Sequence, residues 1–154
     1  MRITVTSPDT APTEKDLSLV IKTFDQVVPI AGLAADLFYD RLFEIAPGLR
    51  SMFPQDMRDQ KRKLFVMLAT AVQGLNDLDR LVPQVKALGA RHAGYGVRSE
   101  HYAIVGQALI WTLERGLGKA FTPQVEWAWI RVYSLLATVM QQGAKEVASM
   151  QAAE

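Results

Sequence analysis

The chain has 154 residues, of which 49% are hydrophobic and 21% are charged. A chain of this size buries close to ~70% of its unfolded surface, which predicts one globular domain with a full core and argues against disorder. We see no apolar run as long as the roughly 20 residues of a membrane span, and we therefore expect no contact with a membrane. Seventeen basic and sixteen acidic residues give a net charge of +1 without a basic block, which argues against nucleic acid as a partner.

The chain contains no cysteine, and its two histidines are His92 and His101. Disulfides, thiolate metal sites and a cysteine nucleophile are therefore excluded, and any ligation by nitrogen has to use one of the two imidazoles. Residues 1–12 lack the apolar segment of a secretory signal. We interpret them as a mobile leader on a cytoplasmic protein, followed by a single domain over residues 13–154.

Apolar residues then recur with helical periodicity through the rest of the chain. Three helix starts have capping signals: Thr13 with Asp16 has the spacing of a capping box, Ser99 is a favourable N-cap, and Thr122 precedes Pro123 at the first helical position. No segment alternates with the period of a strand, and no repeat recurs. The predicted fold is all-α. In chain order, the predicted helices span residues 13–28, 30–46, 60–75, 77–93, 99–116 and 122 onward.

Each histidine can lie on an apolar helix face, His92 at the end of the inward stripe of the fourth helix and His101 near the start of the fifth. A lone histidine in such a place is more often a core residue with one hydrogen bond than a metal ligand, so position alone does not separate the two. Structural zinc takes about four ligands, and neither histidine has a cluster of such residues around it. One histidine suffices only if a cofactor supplies the other ligands.

Several separated motifs resemble the globins. Pro47-Gly-Leu-Arg-Ser-Met-Phe53 is similar to the globin corner, in which a phenylalanine stacks on the haem, and Leu88-Gly-Ala-Arg-His92 resembles the proximal segment. The resemblance is strongest to bacterial single-domain haemoglobins and to the haem domain of flavohaemoglobins, through Leu-Phe-Tyr39-x-x-Leu-Phe, Gln60, Leu64 and His101-Tyr102-x-Ile-Val-Gly106. It runs from about Thr13 to Gln142. It implies a globin fold of about six to eight helices, with haem b in a cleft between the distal and proximal helices.

The resemblance implies that His92 binds the haem iron through Nε2 while its Nδ1–H donates to the carbonyl oxygen of Leu88. It places Lys63 near a propionate of the haem, although a solvated lysine explains this residue equally well. Further residues are implied in an apolar slot for the macrocycle, although plain core packing would use the same residue types. These residues are Phe43, Phe53, Leu64, Leu68, Leu88, Val97, Tyr102 and Val105.

On the distal side, the resemblance implies that Tyr39 and Gln60 donate hydrogen bonds to bound O₂, which has partial superoxide character. At ~1.5–3 kcal/mol for a charge-assisted bond, one donor slows the loss of O₂ by roughly ten- to a hundredfold. The alternatives are that Tyr39 is a core tyrosine bonded elsewhere and that Gln60 turns to solvent. A glutamine where myoglobins have histidine also argues against ligation by two histidines, and we therefore expect five-coordinate ferrous iron.

The chain departs from flavohaemoglobins in its last helix. Their haem domains pair the residue that matches Tyr102 with a glutamate, and the matching position here is Ala144. Glu146 lies two residues further on, about 200° around a helix at ~100° per residue, so we expect it to face elsewhere. A peroxidase-like push by that carboxylate is therefore in doubt, and we expect no reductase domain after Glu154.

These observations favour reversible binding of O₂, CO and NO by a monomer or weak homodimer, for high-affinity oxygen binding, storage or delivery. Three alternatives stay open. They are nitric oxide dioxygenation with a separate reductase, which would make the protein an enzyme, haem-based gas sensing, and a haem-free helical interaction module.

Overall fold

The computed structural model describes residues 11–153. In this range the chain forms six α-helices and no strand, which confirms the predicted all-α fold. The helices are α1 (Glu14–Val27), α2 (Ala31–Ile45), α3 (Arg58–Gly74), α4 (Leu78–Gly94), α5 (Ser99–Leu117) and α6 (Pro123–Ala153). Short 3₁₀ turns span Val28–Ile30, Pro47–Met52 and Gly118–Ala120. Most of the predicted leader lies outside the described residues, and the division of the chain at residue 12 stays a prediction.

Two predicted helix starts are confirmed by their caps. The hydroxyl of Thr13 accepts from the N–H of Asp16 at 3.1 Å, and the Asp16 carboxylate accepts from the N–H of Thr13 at 2.9 Å. At the start of α6, the hydroxyl of Thr122 accepts from the N–H of Val125 at 3.2 Å, with Pro123 as the first helical residue. Both caps satisfy N–H groups that have no partner within the helix.

The predicted start of α5 at residue 99 is confirmed, but its predicted N-cap is wrong. Arg98, not Ser99, is the N-cap, and Ser99 is the first helical residue. The N–H of Arg98 donates to Nδ1 of His101 at 2.9 Å. His101 is the third residue of the helix, where a capping box has Glu or Gln in the same role. The imidazole therefore caps the backbone at a position where we expected a serine hydroxyl.

The expectation that no apolar stretch is long enough to span a membrane is also wrong by length and composition. The stretch Glu14–Ile45 is long and apolar enough to cross a membrane, and 28% of its most apolar 18-residue window is buried. This is weak evidence for a membrane span, because the core helices of soluble proteins can be as long and as apolar. The stretch consists of α1 and α2 separated by a 3₁₀ turn, and each helix is shorter than the roughly 20 residues that a span requires.

The helices pack in layers that leave room for a ligand between them. Helix α4 lies along α6, α2 packs on α5, and α1 packs on α6. Trp129 of α6 is buried, and its Nε1–H donates to the hydroxyl of Thr23 in α1 at 2.9 Å. This bond gives both buried polar groups a partner across that interface. The arrangement places the long apolar face of α6 beneath α4 and α5.

Candidate cofactor site

A cavity of about 170 Å³ lies between α2 and α3 on one side and α4, α5 and α6 on the other. The 3₁₀ corner at Pro47–Met52 and the loop between α4 and α5 also contribute walls. Aliphatic and aromatic side chains make up nearly all of the lining. Such a surface repels water and holds a large apolar ligand.

Seven of the residues predicted at the site line this cavity. They are Phe53, Leu68, Leu88, His92, Val97, Tyr102 and Val105.

The other five predicted residues are not part of the cavity lining. Phe43 packs edge-on against Phe53 with ring centroids 5.4 Å apart. Leu64 lines a second, smaller cavity of about 20 Å³ nearer to α1. Lys63 is exposed. Tyr39 and Gln60 lie together beside Phe53.

His92 is held at the end of α4 by a hydrogen bond between its ring and the backbone. Its Nδ1 lies 2.9 Å from the carbonyl oxygen of Leu88, one turn earlier, which is the acceptor that the sequence led us to expect. Because a carbonyl can only accept, Nδ1 carries the ring hydrogen and Nε2 keeps a lone pair. A neutral imidazole oriented in this way is ready to ligate a metal through Nε2.

His101 lines the same cavity but has the opposite tautomer. Its Nδ1 accepts from the N–H of Arg98, so the hydrogen of the neutral ring is on Nε2. That nitrogen can donate a hydrogen bond but cannot ligate a metal while the cap of α5 is in place. The two histidines, which their sequence positions do not separate, are therefore distinguished by their hydrogen bonds.

The site suits a metal that arrives within an organic cofactor. Among residues 11–153, no three His, Cys, Asp or Glu residues are grouped closely enough to hold a bare metal ion. Among the described lining residues, His92 alone presents an imidazole nitrogen with a free lone pair, and the walls around it are mostly apolar. A porphyrin supplies four equatorial nitrogens of its own and presents a large apolar surface, and so the residues present fit haem.

Tyr39 and Gln60, the two residues predicted for the distal side, are bonded to each other. Nε2 of Gln60 donates to the hydroxyl oxygen of Tyr39 at 3.1 Å, so Gln60 does not turn to solvent. The Tyr39 ring is 3% exposed and packs edge-on against Phe38 and Phe53, with centroids 5.0 and 5.6 Å apart. Burial raises the pKa of the Tyr39 phenol, and the bond from Gln60 opposes that rise. The phenol is therefore neutral near pH 7 and keeps its own hydrogen to donate.

A second tyrosine pair lies beneath the cavity, on α5 and α6. The hydroxyl of Tyr133 donates to the backbone carbonyl oxygen of Tyr102 at 2.5 Å. Burial, and secondarily the neighbouring Tyr102, raise the pKa of Tyr133 far above its usual range. Glu146 pairs with Lys86 of α4 at 2.9 Å on the surface, in agreement with the expectation that it is turned elsewhere. At Ala144, the site has no carboxylate.

Two glycines allow α4 and α6 to touch through their backbones. A Cβ built on Gly89 would overlap the carbonyl oxygen of Met140, and one on Gly143 would overlap that of Lys86. Neither obstacle is the end of a flexible side chain, so a substitution has to push the helices apart. Gly89 directly follows Leu88, the acceptor for His92. The crossing therefore fixes the part of α4 that carries the imidazole.

Sequence reasoning missed this crossing and much of the cavity lining. A glycine inside a helix costs stability relative to alanine, and this cost is the signal that each glycine has a packing role. The missed lining residues continue the apolar stripes of their helices and were not distinguishable from core. They are Phe38, Leu42, Leu49, Met52, Met67, Ala71, Val85, His101, Leu109, Tyr133, Leu136, Ala137 and Met140.

An all-helical fold around an apolar cavity, with one imidazole anchored to present its lone pair there, is the arrangement expected of a protein that holds a planar metal cofactor. Comparison with family models gives the class a name. The globin model matches residues 36–140, and the chain belongs to the globin family. Family membership supports haem as the cofactor.

Two curated relatives illustrate the range of the family. The chain is 34% identical over 103 residues to a flavohemoprotein of Bacillus subtilis (strain 168), covering 65% of this chain and 26% of that protein. The chain therefore spans about a quarter of the flavohemoprotein's length. It is 26% identical over 145 residues to neuroglobin-2 of Oncorhynchus mykiss, covering 85% of this chain and 91% of that one.

Two solved structures share the fold. One is an engineered carbene transferase made from a putative nitric oxide dioxygenase of Rhodothermus marinus. It has a TM-score of 0.81 at 23% identity, covering 92% of this chain and 99% of that one. The other is a hexacoordinated heme protein from an anhydrobiotic tardigrade, with a TM-score of 0.79 at 17% identity, covering 91% and 99%. At these identities the likeness concerns the fold alone.

Proposed function

We propose that the chain binds haem b through Nε2 of His92 and reversibly binds O₂, CO and NO on the opposite side of the macrocycle. The observation that carries this proposal is the hydrogen bond from His92 to Leu88, which leaves a lone pair at an almost wholly apolar cavity. The flavohemoprotein relative supports the choice of cofactor. When bound, ferrous haem supplies an iron atom with one open axial position for a diatomic gas.

The residues of the distal side bind and orient the gas. Tyr39 uses its hydroxyl oxygen to accept from Gln60 and its hydrogen to donate to the ligand. Gln60 fixes the direction of that phenol and strengthens it as a donor, since hydrogen bonds in a chain polarise one another. Apolar residues such as Phe53 and Leu68 exclude water that would compete for the donor. This arrangement favours slow release of O₂ and high affinity, suited to oxygen storage or delivery.

Nitric oxide dioxygenation, with electrons from a separate reductase, is the second candidate. The similarity to a flavohemoprotein favours it. The position of Glu146 disfavours it, since this carboxylate pairs with Lys86 on the surface, and among residues 11–153 no Asp or Glu lines the cavity with the two tyrosines.

Stopped-flow mixing distinguishes the two roles. The oxygenated protein is mixed with NO in the presence of a reductase and its nicotinamide donor. A single stoichiometric burst that ends in ferric protein is the result expected for oxygen storage. Steady consumption of NO over many turnovers would instead establish the dioxygenase. A sample without a Soret band after incubation with haem would contradict both roles and leave a haem-free helical module.

A further inference from the structure

The cavity contains few hydrogen-bond donors, and most of them are already used. Within the described chain, the lining residues with an N–H or O–H are His92, His101, Tyr102 and Tyr133. The hydroxyl of Tyr133 donates to a backbone carbonyl, and so does Nδ1–H of His92. Among these lining residues, two side-chain donors therefore remain unused, the hydroxyl of Tyr102 and the Nε2–H of His101.

These two donors lie in different surroundings. Tyr102 is 8% exposed, and burial raises the pKa of its phenol. His101 is half-buried at the start of α5, beside the exposed residues 98–100. Met52 also lines the cavity and is exposed, and its side chain lies near the exposed Gly96 in the loop that precedes α5. His101 is therefore the more exposed of the two unused donors.

Haem b carries two propionate carboxylates on one edge of an otherwise apolar ring. An ionised carboxylate is costly to bury without a partner, so that edge of the ring faces the open end of a cavity. We propose that Nε2–H of His101 donates to a propionate carboxylate of the bound haem. This inference rests on the proposed function, and it assigns the carboxylate partner to α5 instead of the exposed Lys63 of α3.

The tautomer makes His101 suited to this task. The Arg98 amide occupies Nδ1 at 2.9 Å and thereby keeps the hydrogen on Nε2. The positive end of the α5 helix dipole lies beside the ring and adds to the attraction for an anion. One imidazole thus caps a helix with one nitrogen and holds the cofactor with the other.

Rates of haem loss to an excess of a haem-scavenging protein test the assignment. We compare the wild type with His101→Glu, each loaded either with haem or with haem dimethyl ester, whose propionates are uncharged. Glutamate at this position still accepts from the Arg98 N–H, as in a capping box, but has no hydrogen to donate and repels a carboxylate. Far-UV circular dichroism melting of each variant checks that α5 remains capped.

We expect His101→Glu to lose haem about tenfold faster than the wild type and to lose the dimethyl ester at nearly the wild-type rate. The matched control Lys63→Glu, an equal charge change on α3, should change neither rate more than about twofold. Equal acceleration for both cofactors would overturn the inference, because the effect would then not involve the carboxylate. The inference would also be overturned if Lys63→Glu, and not His101→Glu, lost haem faster than the wild type while losing the dimethyl ester at the wild-type rate. In either case a wild type that keeps its haem leaves the proposed function intact, whereas a wild type that takes up no haem contradicts the proposed function itself.

Discussion

The proximal and distal sides of the cavity are held together in different ways. On the proximal side, α4 and α6 touch through their backbones at Gly89 and Gly143, and a backbone carbonyl orients His92. On the distal side, α2 and α3 are joined by side chains: Gln60 bonds to Tyr39, and an ion pair links Lys61 to Asp36 at 2.8 Å.

The difference teaches which properties of the site can change independently. A backbone contact is moved only by displacing a whole helix, so the proximal side fixes where the cofactor is held. A side-chain contact is altered by one substitution, so the distal side sets how strongly a gas is retained. Substitutions on the two sides should therefore change different measured quantities.

The largest effect is expected at the axial ligand. His92→Ala removes the lone pair aimed at the cavity and should abolish stable haem retention. His101→Ala should leave the absorption spectrum near that of the wild type, because Nδ1 of His101 caps α5 and its Nε2 is protonated. Absorption spectra after reconstitution and gel filtration measure both variants. The reverse pattern would show that the two imidazoles have been assigned the wrong way round.

The crossing of α4 and α6 should be the next most sensitive feature. Gly143→Ala forces a methyl group against the Lys86 backbone and should lower the free energy of unfolding by about 2–3 kcal/mol. It should also shift the iron–histidine stretching frequency of the ferrous protein.

Gly32→Ala is the matched control for Gly143→Ala. A Cβ on Gly32, in the distal helix α2, meets no atom within 4 Å, so this variant should be neutral or more stable by up to about 1 kcal/mol. Urea denaturation and resonance Raman spectra of both variants measure these effects. Equal losses of unfolding free energy in the two variants would show that the close backbone contact at Gly143 does not cause the effect.

Tyr39→Phe should alter gas release while leaving the proximal side unchanged. Removing the donor should speed O₂ dissociation by roughly ten- to a hundredfold, the equivalent of ~1.5–3 kcal/mol. The iron–histidine stretching frequency should stay at its wild-type value. Because burial raises the pKa of Tyr39, the wild-type rate should be constant from about pH 7 to 9.

Gln60→Leu is the companion variant on the distal side. It removes the residue that orients Tyr39, and it should speed dissociation less than Tyr39→Phe does. The effects of the two substitutions should not add, since both groups belong to one hydrogen-bond chain. Flash photolysis and stopped-flow exchange with CO give these rates. An unchanged rate in Tyr39→Phe would assign the donor role to Gln60 or to water.

The surface ion pair at the helix crossing should matter least. Glu146→Gln breaks the pair with Lys86. Because the Lys86 and Glu146 side chains are 34% and 58% exposed, this should lower the free energy of unfolding by less than about 1 kcal/mol. Salt should reduce even this cost, since it screens exposed charges. Denaturation at low and high ionic strength is the measurement. A loss as large as that of Gly143→Ala would show that the ion pair, and not the backbone contact, holds the two helices.

Local signals in the sequence predicted most of the fold. The capping residues at Thr13 and Thr122 specify helix starts through bonds that span three residues, and so they can be recognised without tertiary structure. The N-cap of α5 was misassigned because a histidine is unusual as the third residue of a capping box. The approach of Gly89 to Met140 joins residues far apart in the sequence, and no local pattern predicts it.

The candidate site was predictable where motifs carried it and not elsewhere. The bond between His92 and Leu88 was predicted from the globin resemblance, and the structure contains it. The resemblance also named Tyr39 and Gln60, but as donors to a bound gas, and their bond to each other was not predicted. The tautomer of His101 is set by a local bond from the N–H of Arg98, three residues earlier, and it was missed because histidine is unusual in a capping box. The position of its other ring nitrogen at the cavity depends on how α5 packs against the other helices, and no local pattern predicts that.

The absorption spectrum of the reduced protein, recorded with and without CO, tests the central claim most directly. With His92 as the one axial ligand from the protein and an open distal position, the ferrous protein should be five-coordinate and high-spin, with a single broad visible band. Addition of CO should convert it to a sharp six-coordinate spectrum without a slow preceding step. A six-coordinate low-spin ferrous spectrum before CO is added would contradict the account, because a second protein ligand would then occupy the position that Tyr39 and Gln60 are proposed to serve.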